Sequence, residues 1–529
     1  MSSADPEPPH AEAQGPEAAG AGRGTGPRRL GAWVVLLALL LRIGDAVRAS
    51  FHLDDFHSLF HARAADWREF LERVAQDNHP PLSFALLRVV RTTVGEHELW
   101  LRLPNVAIGT VAVALTWRIG RRLGHEAGRL FAALLVACST LHLDLSTDLR
   151  MYALLALCVL GVLDAVLDVL DPRGDGRVLG LPAALRLPVW TALALLSHYH
   201  ALHAGVALGV GLGLTAALRS APRAEIRRTI LLGAVGFLLA SPWYATVFRT
   251  QLEHELAPGG SAISLPILGE SFVHLLFVRL ELFELVRLPL LTLGLVAFPL
   301  AWLGLGLAFG GRSERGPSET PRPGRTFAIL VGSLAFALPV WTAGVAWLQP
   351  RAGFEWRYLA SAIAPYCLLL GAAAAPGRLL GLRRGLLVAT VAGAFLLALG
   401  HLRDPGREDY RGATRHVLER LEPGDGLLGV EWQPRLFPRG GGLRTYVDLL
   451  ASSEGVGDPA PQPVWLDHTP EFTLTEPARL GELDAVHCLL RSIPDDVPLL
   501  QHLRREFPVE EKQRFGEAVW VLTFRRQDP

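Results

Sequence analysis

Two adjacent carboxylates follow the first apolar block of the chain and are its strongest chemical signal. Asp54 and Asp55 lie in a charged, aromatic stretch that runs from Leu53 to Leu82 and contains the corner His79-Pro80-Pro81. A carboxylate within hydrogen-bond reach of an acceptor hydroxyl can act as a general base. We therefore expect the chemistry in this stretch, with Asp54 and Asp55 as the candidate catalytic residues.

Polar side chains near the ends of other apolar blocks have the chemistry to hold an anion. Arginine binds phosphate through paired N–H donors, and arginine or histidine can stabilise the negative charge that grows on a departing phosphate. Ionisable groups at membrane depth are costly and usually line a cavity. On this basis the candidate substrate-binding residues are His79, Arg102, Arg150, Tyr152, His198, His200, Arg357 and Tyr358.

Composition places these residues in a polytopic membrane protein. Of the 529 residues, 50% are hydrophobic and 19% are charged, and the mean hydropathy is +0.29. The apolar residues come in long blocks, and about twenty such residues are enough for a helix to cross a bilayer. The 51 basic and 51 acidic residues balance, so no global field favours a nucleic acid as partner. The four cysteines have neither metal-ligand spacing nor a disulfide framework.

The positions of the arginines predict the topology, because short loops rich in Arg stay on the cytoplasmic side. Such clusters lie at residues 28–29, 118–129, 173–186, 219–228, 312–325 and 378–384. About eleven spans then fit between them, with the N-terminus inside and the C-terminus outside the inner (plasma) membrane. The spans are predicted near residues 30–48, 103–119, 128–146, 151–170, 183–200, 201–218, 229–248, 287–310, 326–347, 357–376 and 384–401.

Two further stretches are predicted to lie at the outer interface without crossing. The apolar part of residues 80–101 is about ten residues long, too short for a span of about 30 Å, and is broken by Arg88 and Arg91. It is predicted to be an interfacial or re-entrant helix. The amphipathic stretch 272–286 is predicted to lie at the same interface.

Three domains follow from these boundaries. Residues 1–27 are rich in Ala, Gly, Pro and Glu and are predicted to form a disordered cytoplasmic tail. Residues 28–403 form the transmembrane domain, with a large first outer loop at 49–102. Residues 404–529 have ordinary soluble composition and short strand patterns such as DGLLGV and AVWVLTFRR, which predict a small extracytoplasmic α/β domain. It contains no catalytic motif, so we expect a lid or a module that docks the acceptor.

On this topology the candidate residues converge at the outer ends of the spans. An acidic loop beside a basic, membrane-embedded cavity fits the transfer of a group from a lipid phosphate to an acceptor at the outer surface. A lipid-linked sugar flippase or transporter would instead carry charges across the membrane midplane. A non-catalytic membrane scaffold would need no acid pair. Residue chemistry alone leaves both of these alternatives open.

The motifs add a resemblance. The acid pair after the first span, HPPL about 25 residues later, ELWLRLPNVAIG and STDLRMYALLAL together resemble the GT-C superfamily of polyprenyl-phosphate-dependent glycosyltransferases. Within that superfamily the chain is most similar to the protein O-mannosyltransferases and the aminoarabinose transferases of lipid A. The resemblance is good over roughly residues 30–250 and looser beyond, where RYLASAIAP echoes a late-helix pattern.

The resemblance implies a GT-C fold and an inverting, single-displacement transfer of a sugar from a polyprenyl phosphate. Asp54 matches the first acid of the Asp-Glu pair of the family, which implies the catalytic base or a residue that orients the acceptor. Asp55 stands where the family usually has Glu, so the resemblance leaves open which of the two is the base. Arg102 and Arg150 match arginines near the outer face, and His79 matches a corner that implies a phosphate contact. The donor sugar and the acceptor, whether protein, lipid or polysaccharide, are not implied.

Simpler structural roles compete with each assignment. Asp54 and Asp55 could cap the helix that starts near Phe56, and His79-Pro80-Pro81 could be only a rigid corner. Arg102 and Arg150 could anchor spans at the headgroups by snorkelling. His198 and His200 could belong to an interfacial aromatic belt, and a divalent metal bound by this His-x-His pair is the least favoured of their roles.

Overall fold

The structure is a computed structural model, and the residues that it describes cover most of the chain. They are 25–172, 177–178, 181–254, 264–278, 284–310, 324–348, 354–404, 408–430, 441–453, 463–469, 472–491, 493–494, 496–516 and 518–527. Residues 1–24 of the predicted tail lie outside the described residues, as do parts of the arginine-rich loops at 173–186 and 312–325. Residues 25–27 already belong to the first helix.

Helices dominate the chain up to residue 403. In chain order the helices are α1 Thr25–Arg48, α2 Leu53–Ala62, α3 Trp67–Ala75, α4 Leu82–Val94, α5 Glu98–Gly120, α6 Glu126–Cys138, α7 Thr140–Leu145, α8 Tyr152–Leu170, α9 Ala183–Ser197, α10 His200–Ala217, α11 Arg223–Thr246, α12 Phe248–His254, α13 Leu265–His274, α14 Glu284–Phe309, α15 Arg325–Gly332, α16 Leu338–Leu348, α17 Ile363–Ala372, α18 Leu380–Arg403, α19 Tyr410–Leu418, α20 Gly441–Ser453 and α21 Pro498–Glu506. A π-helical segment at Ser333–Ala337 joins α15 to α16, and 3₁₀ turns lie at Arg121–Leu123, Trp356–Ala362 and Pro477–Glu482.

Eight helices among the described residues are long and apolar enough to cross a membrane. They coincide with eight of the predicted spans. The other three predicted spans coincide with shorter elements, namely α6 with α7, α9, and the 3₁₀ turn at Trp356–Ala362 followed by α17. The polytopic helical fold is therefore confirmed, whereas the number of eleven spans remains a prediction.

The short helix α17 lies in the middle of the bundle, and all ten of its residues are buried. It approaches α6 closely because both helices carry glycine at the contact. A Cβ atom added at Gly371 would lie 2.3 Å from the carbonyl oxygen of Gly128. Small residues allow such close helix packing inside a membrane, where the hydrophobic effect does not drive association.

The first outer loop folds into α2, α3 and α4. Helix α4 has 13 residues, which agrees with the prediction of an apolar stretch too short to span. The interfacial location of residues 272–286 remains a prediction. In the described first part of this stretch Leu275, Leu276 and Phe277 are fully buried inside the protein, because this turn packs on the start of α7, where the Thr140 N–H donates to the Leu276 carbonyl over 3.3 Å. Residues 279–283 lie outside the described residues.

Residues 404–529 contain a five-stranded sheet of order β4-β3-β5-β7-β6, where β3 pairs parallel to β4 and β5 and the other pairs are antiparallel. One core packs between the sheet and α21. On the other face, α19 and α20 pack between the sheet and α2 of the first outer loop. The strands are β3 Gly426–Val430, β4 Val464–Leu466, β5 Ala485–Arg491, β6 Val509–Phe515 and β7 Val519–Arg525, while β1 Arg177–Val178 and β2 Leu181–Pro182 form a separate small hairpin.

A buried charge cluster ties one end of the bundle together. Asp164 and Asp168 of α8 bind the guanidinium groups of three arginines. The Arg186 Nη1–Asp164 Oδ2, Arg186 Nη2–Asp168 Oδ2 and Arg118 Nη2–Asp168 Oδ2 distances are 2.6, 2.6 and 2.7 Å. Arg122 also contacts Asp168. These arginines come from the two clusters that the topology placed on one side, and the cluster fixes the ends of α5 and α8 against the start of α9.

Loss of Arg122 should therefore destabilise the fold. Arg122→Ala leaves Asp168 with one partner fewer in a buried site, and we expect the free energy of unfolding to fall by about 2–3 kcal/mol. The matched control is Arg121→Ala, since Arg121 is the exposed neighbour and should change stability by less than about 0.5 kcal/mol. Thermal and denaturant unfolding of the purified protein in detergent measures both, and equal effects would contradict the structural role of the cluster.

Candidate functional site

Asp55 anchors the start of α2. One carboxylate oxygen accepts hydrogen bonds from the His52 backbone N–H over 3.2 Å and the His52 ring over 2.7 Å, and the other accepts from the Leu149 N–H over 2.7 Å. Burial alone would lower the pKa of His52, but the neighbouring carboxylates, Asp55 above all, raise this pKa to about 9. The Asp55 side chain is fully buried, and it joins α2 to the loop before α8.

Asp54 lies on the accessible side of the same turn. Its side chain remains 28% exposed and accepts a hydrogen bond from Arg357 Nη1 over 2.6 Å. Burial alone would raise the pKa of Asp54, but Arg150 and Arg357 outweigh it and hold this pKa well below its usual range. Of the two predicted catalytic carboxylates, only Asp54 is thus placed where a substrate could meet it.

Arg357 bridges two carboxylates at the mouth of the site. Besides Asp54, it contacts Glu355, with 2.5 Å between Arg357 Nε and Glu355 Oε2. Its guanidinium carbon lies 5.5 Å from the centre of the Tyr152 ring, a cation–π distance. Arg357 lies in the 3₁₀ turn at Trp356–Ala362. A late part of the chain therefore contacts Asp54 of the first outer loop.

Arg150 lies behind Asp54 and is buried. Its Nη1 donates to the His57 Nδ1 over 3.1 Å, while its Nε is buried with no hydrogen-bond partner within the described part of the chain. An unsatisfied buried donor is costly. Arg150 is thus a second arginine close to Asp54 besides Arg357, and two arginines beside one another suit an anion.

Aromatic and histidine rings form the adjoining wall. His198 lies 5.0 Å from His79 and 5.3 Å from Tyr152 between ring centres, and His200 stacks on Tyr358 at 4.3 Å. The segment between α9 and α10 thus meets the loop before α4 and the 3₁₀ turn at Trp356–Ala362. Tertiary structure brings together the predicted residues His79, Arg150, Tyr152, His198, His200, Arg357 and Tyr358 around Asp54.

Arg102 is the predicted substrate-binding residue that the structure places elsewhere. Its side chain is fully buried, its Nη1 donates to the Thr147 carbonyl over 2.6 Å, and its Nη2 lies 3.6 Å from Asp55 Oδ2. Since these contacts use the guanidinium inside the fold, the geometry assigns Arg102 to the support of the loop before α8 and not to the interior of the site.

Three side chains outside the sequence prediction border the site: His57, His61 and Asp77. His57 and His61 are four residues apart, a spacing that places both on one face of a helix. This spacing in HSLFH was the available signal. Nothing in the sequence pattern indicated that Asp77, beyond α3, would fold back against them.

The C-terminal domain forms hydrogen bonds with the segment that precedes Asp54. The Tyr446 hydroxyl accepts from the Phe51 N–H over 2.5 Å and donates to Glu98 Oε1 over 3.0 Å. Glu408 accepts from the Leu53 N–H over 2.9 Å. The tyrosine ring is buried and lies 5.7 Å from the Phe56 ring. The domain predicted as a lid or docking module therefore also holds the start of α2 in place.

Comparison with known proteins was informative at the level of fold. Residues 78–245 match the family model described as dolichyl-phosphate-mannose-protein mannosyltransferase. No curated protein matches the chain. The structure is similar to that of ArnT from Cupriavidus metallidurans in the apo state and bound to undecaprenyl phosphate, with TM-scores of 0.55 and 0.54 and 15% identity, covering 93% of this chain and 98% of that one. The oligosaccharyltransferase AglB from Archaeoglobus fulgidus aligns with a TM-score of 0.49 and 13% identity, covering 87% of this chain and 69% of that one.

These matches establish the fold. The chain has the GT-C fold that the sequence motifs implied, as shown by its similarity to ArnT.

The two aspartates should differ sharply in what they do for stability. Asp55→Asn removes a buried charge that satisfies His52 and Leu149, so we expect unfolding to become easier by about 3 kcal/mol. Asp54→Asn breaks a partly exposed pair and should cost less than about 1 kcal/mol. Thermal unfolding of the two isosteric variants, each the control of the other, tests the division, and a larger effect at Asp54 would refute it.

The contact between Tyr446 of the C-terminal domain and the segment at residues 50–55 can be tested separately. Tyr446→Phe deletes the hydroxyl that pairs with Phe51 and Glu98, and the unsatisfied groups should cost about 1–3 kcal/mol. Hydrogen exchange at residues 50–55 should accelerate. Gln501→Ala, on an exposed position of α21, is the control in the same domain. Unchanged exchange at residues 50–55 in Tyr446→Phe would show that the contact does not hold the segment.

Proposed function

We propose that this protein is a membrane glycosyltransferase that transfers a sugar from a polyprenyl-phosphate donor to an acceptor at the outer, periplasmic face. The observation that carries the proposal is one accessible carboxylate, Asp54, set against Arg150 and Arg357 at the ends of several apolar helices. A base beside two phosphate-binding groups is what such a transfer needs. The family match and the shared fold with ArnT, a protein whose structure is described with bound undecaprenyl phosphate, support it.

The donor phosphate would compete with Asp54 for its arginines. Arg357 donates to Asp54, which keeps this carboxylate a weak base. A phosphate bound to Arg357 and Arg150 would weaken the hold on Asp54 and raise its pKa. The base would thus gain strength when the donor is in place.

The transfer itself would then be a single displacement. The acceptor atom forms a bond to the anomeric carbon while the bond from that carbon to the phosphate oxygen breaks. Asp54 takes the acceptor proton, and Arg150 and Arg357 stabilise the charge that grows on the departing polyprenyl phosphate. His79, His198, His200, Tyr152 and Tyr358 would line the sugar-binding wall, with inversion at the anomeric carbon as the expected outcome.

The test uses purified full-length protein, a panel of polyprenyl-phosphate sugars and candidate protein, lipid and polysaccharide acceptors. We expect transfer by the wild type and a loss of at least ~10³-fold in Asp54→Asn, which removes the base. Arg357→Gln should lower transfer by at least ~10²-fold. It should also move the acidic limb of the pH–rate profile to higher pH, because Asp54 loses a cation that depresses its pKa.

Arg68→Gln is the control for a lost charge, since this arginine of the same outer loop is largely exposed and pairs only locally with Glu72. If no donor is consumed, or if Asp54→Asn keeps full transfer, the proposal is wrong. Movement of an intact lipid-linked sugar across proteoliposomes, without its consumption, would favour the alternative of a flippase. If the double variant Asp54→Asn/Asp55→Asn keeps the full function of the wild type, a non-catalytic scaffold is favoured.

A further inference from the structure

A compact group of metal-binding side chain types lies beneath the candidate site. His57 and His61 are one helical turn apart on α2, and Asp77 follows α3. One ligand atom from each lies within 4.8 Å of the others. The His57 Nε2–His61 Nε2 distance is 3.2 Å, the His57 Nε2–Asp77 Oδ1 distance is 3.4 Å and the His61 Nε2–Asp77 Oδ2 distance is 3.7 Å.

The two imidazole nitrogens lie within hydrogen-bond distance of each other, whereas both His–Asp separations are too long for good hydrogen bonds. A good hydrogen bond between a ring N–H and a carboxylate measures about 2.7–2.9 Å. Ligand atoms about 2.0–2.1 Å from a tetrahedral zinc ion lie about 3.3–3.5 Å from one another. The separations of the two imidazole nitrogens and the Asp77 carboxylate are therefore close to those of ligands around one metal ion.

Burial supplies an independent indication. Asp77 is 9% exposed and His61 is 2% exposed. Asp77 Oδ2 is buried without a hydrogen-bond partner in the described residues, and so is the neighbouring His79 Nδ1, 3.5 Å away. Buried carboxylate oxygens are ordinarily paired or bound to a metal.

We propose that His57, His61 and Asp77 bind one divalent transition-metal ion, with zinc as the metal that two imidazoles and one carboxylate favour. Three protein ligands leave a fourth position for water or for an anionic ligand. His79, beside Asp77, is an outer-shell residue that can donate from Nδ1 to this carboxylate and orient it.

Metal binding would change the partner of Arg150. Arg150 donates to His57 Nδ1, which places the proton of the neutral ring on Nε2. A metal on Nε2 requires that proton on Nδ1, so the tautomer shifts without net proton release and the Arg150 contact breaks. Resting on the proposed function, this step would free Arg150 for Asp54 or for the donor phosphate.

The test is metal binding by the full-length protein in detergent, with no donor present. After treatment with EDTA and dialysis against zinc, we expect roughly one zinc per chain. His61→Gln and Asp77→Asn should weaken binding by at least ~10²-fold. His97→Gln, at an exposed histidine of the same outer loop, should bind zinc like the wild type. No stoichiometric zinc in the wild type, or equal zinc in all variants, would overturn the proposal.

Cobalt substitution of the wild type keeps the test decisive if the variants do not fold. A four-coordinate Co²⁺ site with His and Asp ligands gives intense visible bands, whereas weak bands of a six-coordinate ion would overturn the proposed ligand set. These readouts do not depend on transfer. Bound zinc without donor consumption would refute the glycosyltransferase and leave the metal site, and transfer by a protein that binds no zinc would do the reverse.

Discussion

The candidate site depends on the hydrogen bonds that the buried carboxylate of Asp55 accepts. This carboxylate links the start of α2 to the loop before α8 through His52 and the Leu149 N–H. Because Asp54 precedes it and Arg150 follows Leu149, one hydrogen-bonded carboxylate fixes the spacing between the candidate base and a candidate phosphate ligand. Asp55, which the sequence suggested as one of two catalytic carboxylates, is therefore a supporting residue that leaves Asp54 accessible.

Two further sets of contacts support the Asp55 carboxylate and the segment around it. Arg102 lies under Asp55 and reaches the Thr147 carbonyl. From the other side, the C-terminal domain contacts the same segment through Tyr446 and Glu408. Supporting groups of this kind keep a site within the narrow geometry that acid–base chemistry requires. The C-terminal domain and the helical bundle thus both position a single turn of helix.

The electrostatics of the site follow from the same arrangement. Asp54 is held ionised by arginines that are themselves suited to phosphate, so the arginines proposed to bind the donor phosphate also interact with the candidate base. Such an ion pair is retained at low cost because each charge stabilises the other where burial would penalise either alone. At the opposite end of the bundle, the cluster around Asp168 uses the same principle for structure only.

The amino-acid sequence by itself determined the membrane class, the placement of the long apolar helices and the stretch in which the acid pair lies, because hydropathy and arginine placement are properties of local sequence. It also predicted that Arg150, Tyr152, His198 and Arg357 lie in one site. This prediction needs only the topology, which places the ends of their helices on the same side. Only the tertiary structure separated Asp54 from Asp55 and moved Arg102 into the support. It alone brought Asp77 against His57 and His61 and placed Tyr446 under α2. These outcomes depend on which side of a turn faces a distant backbone N–H or carbonyl group, and no local pattern encodes that.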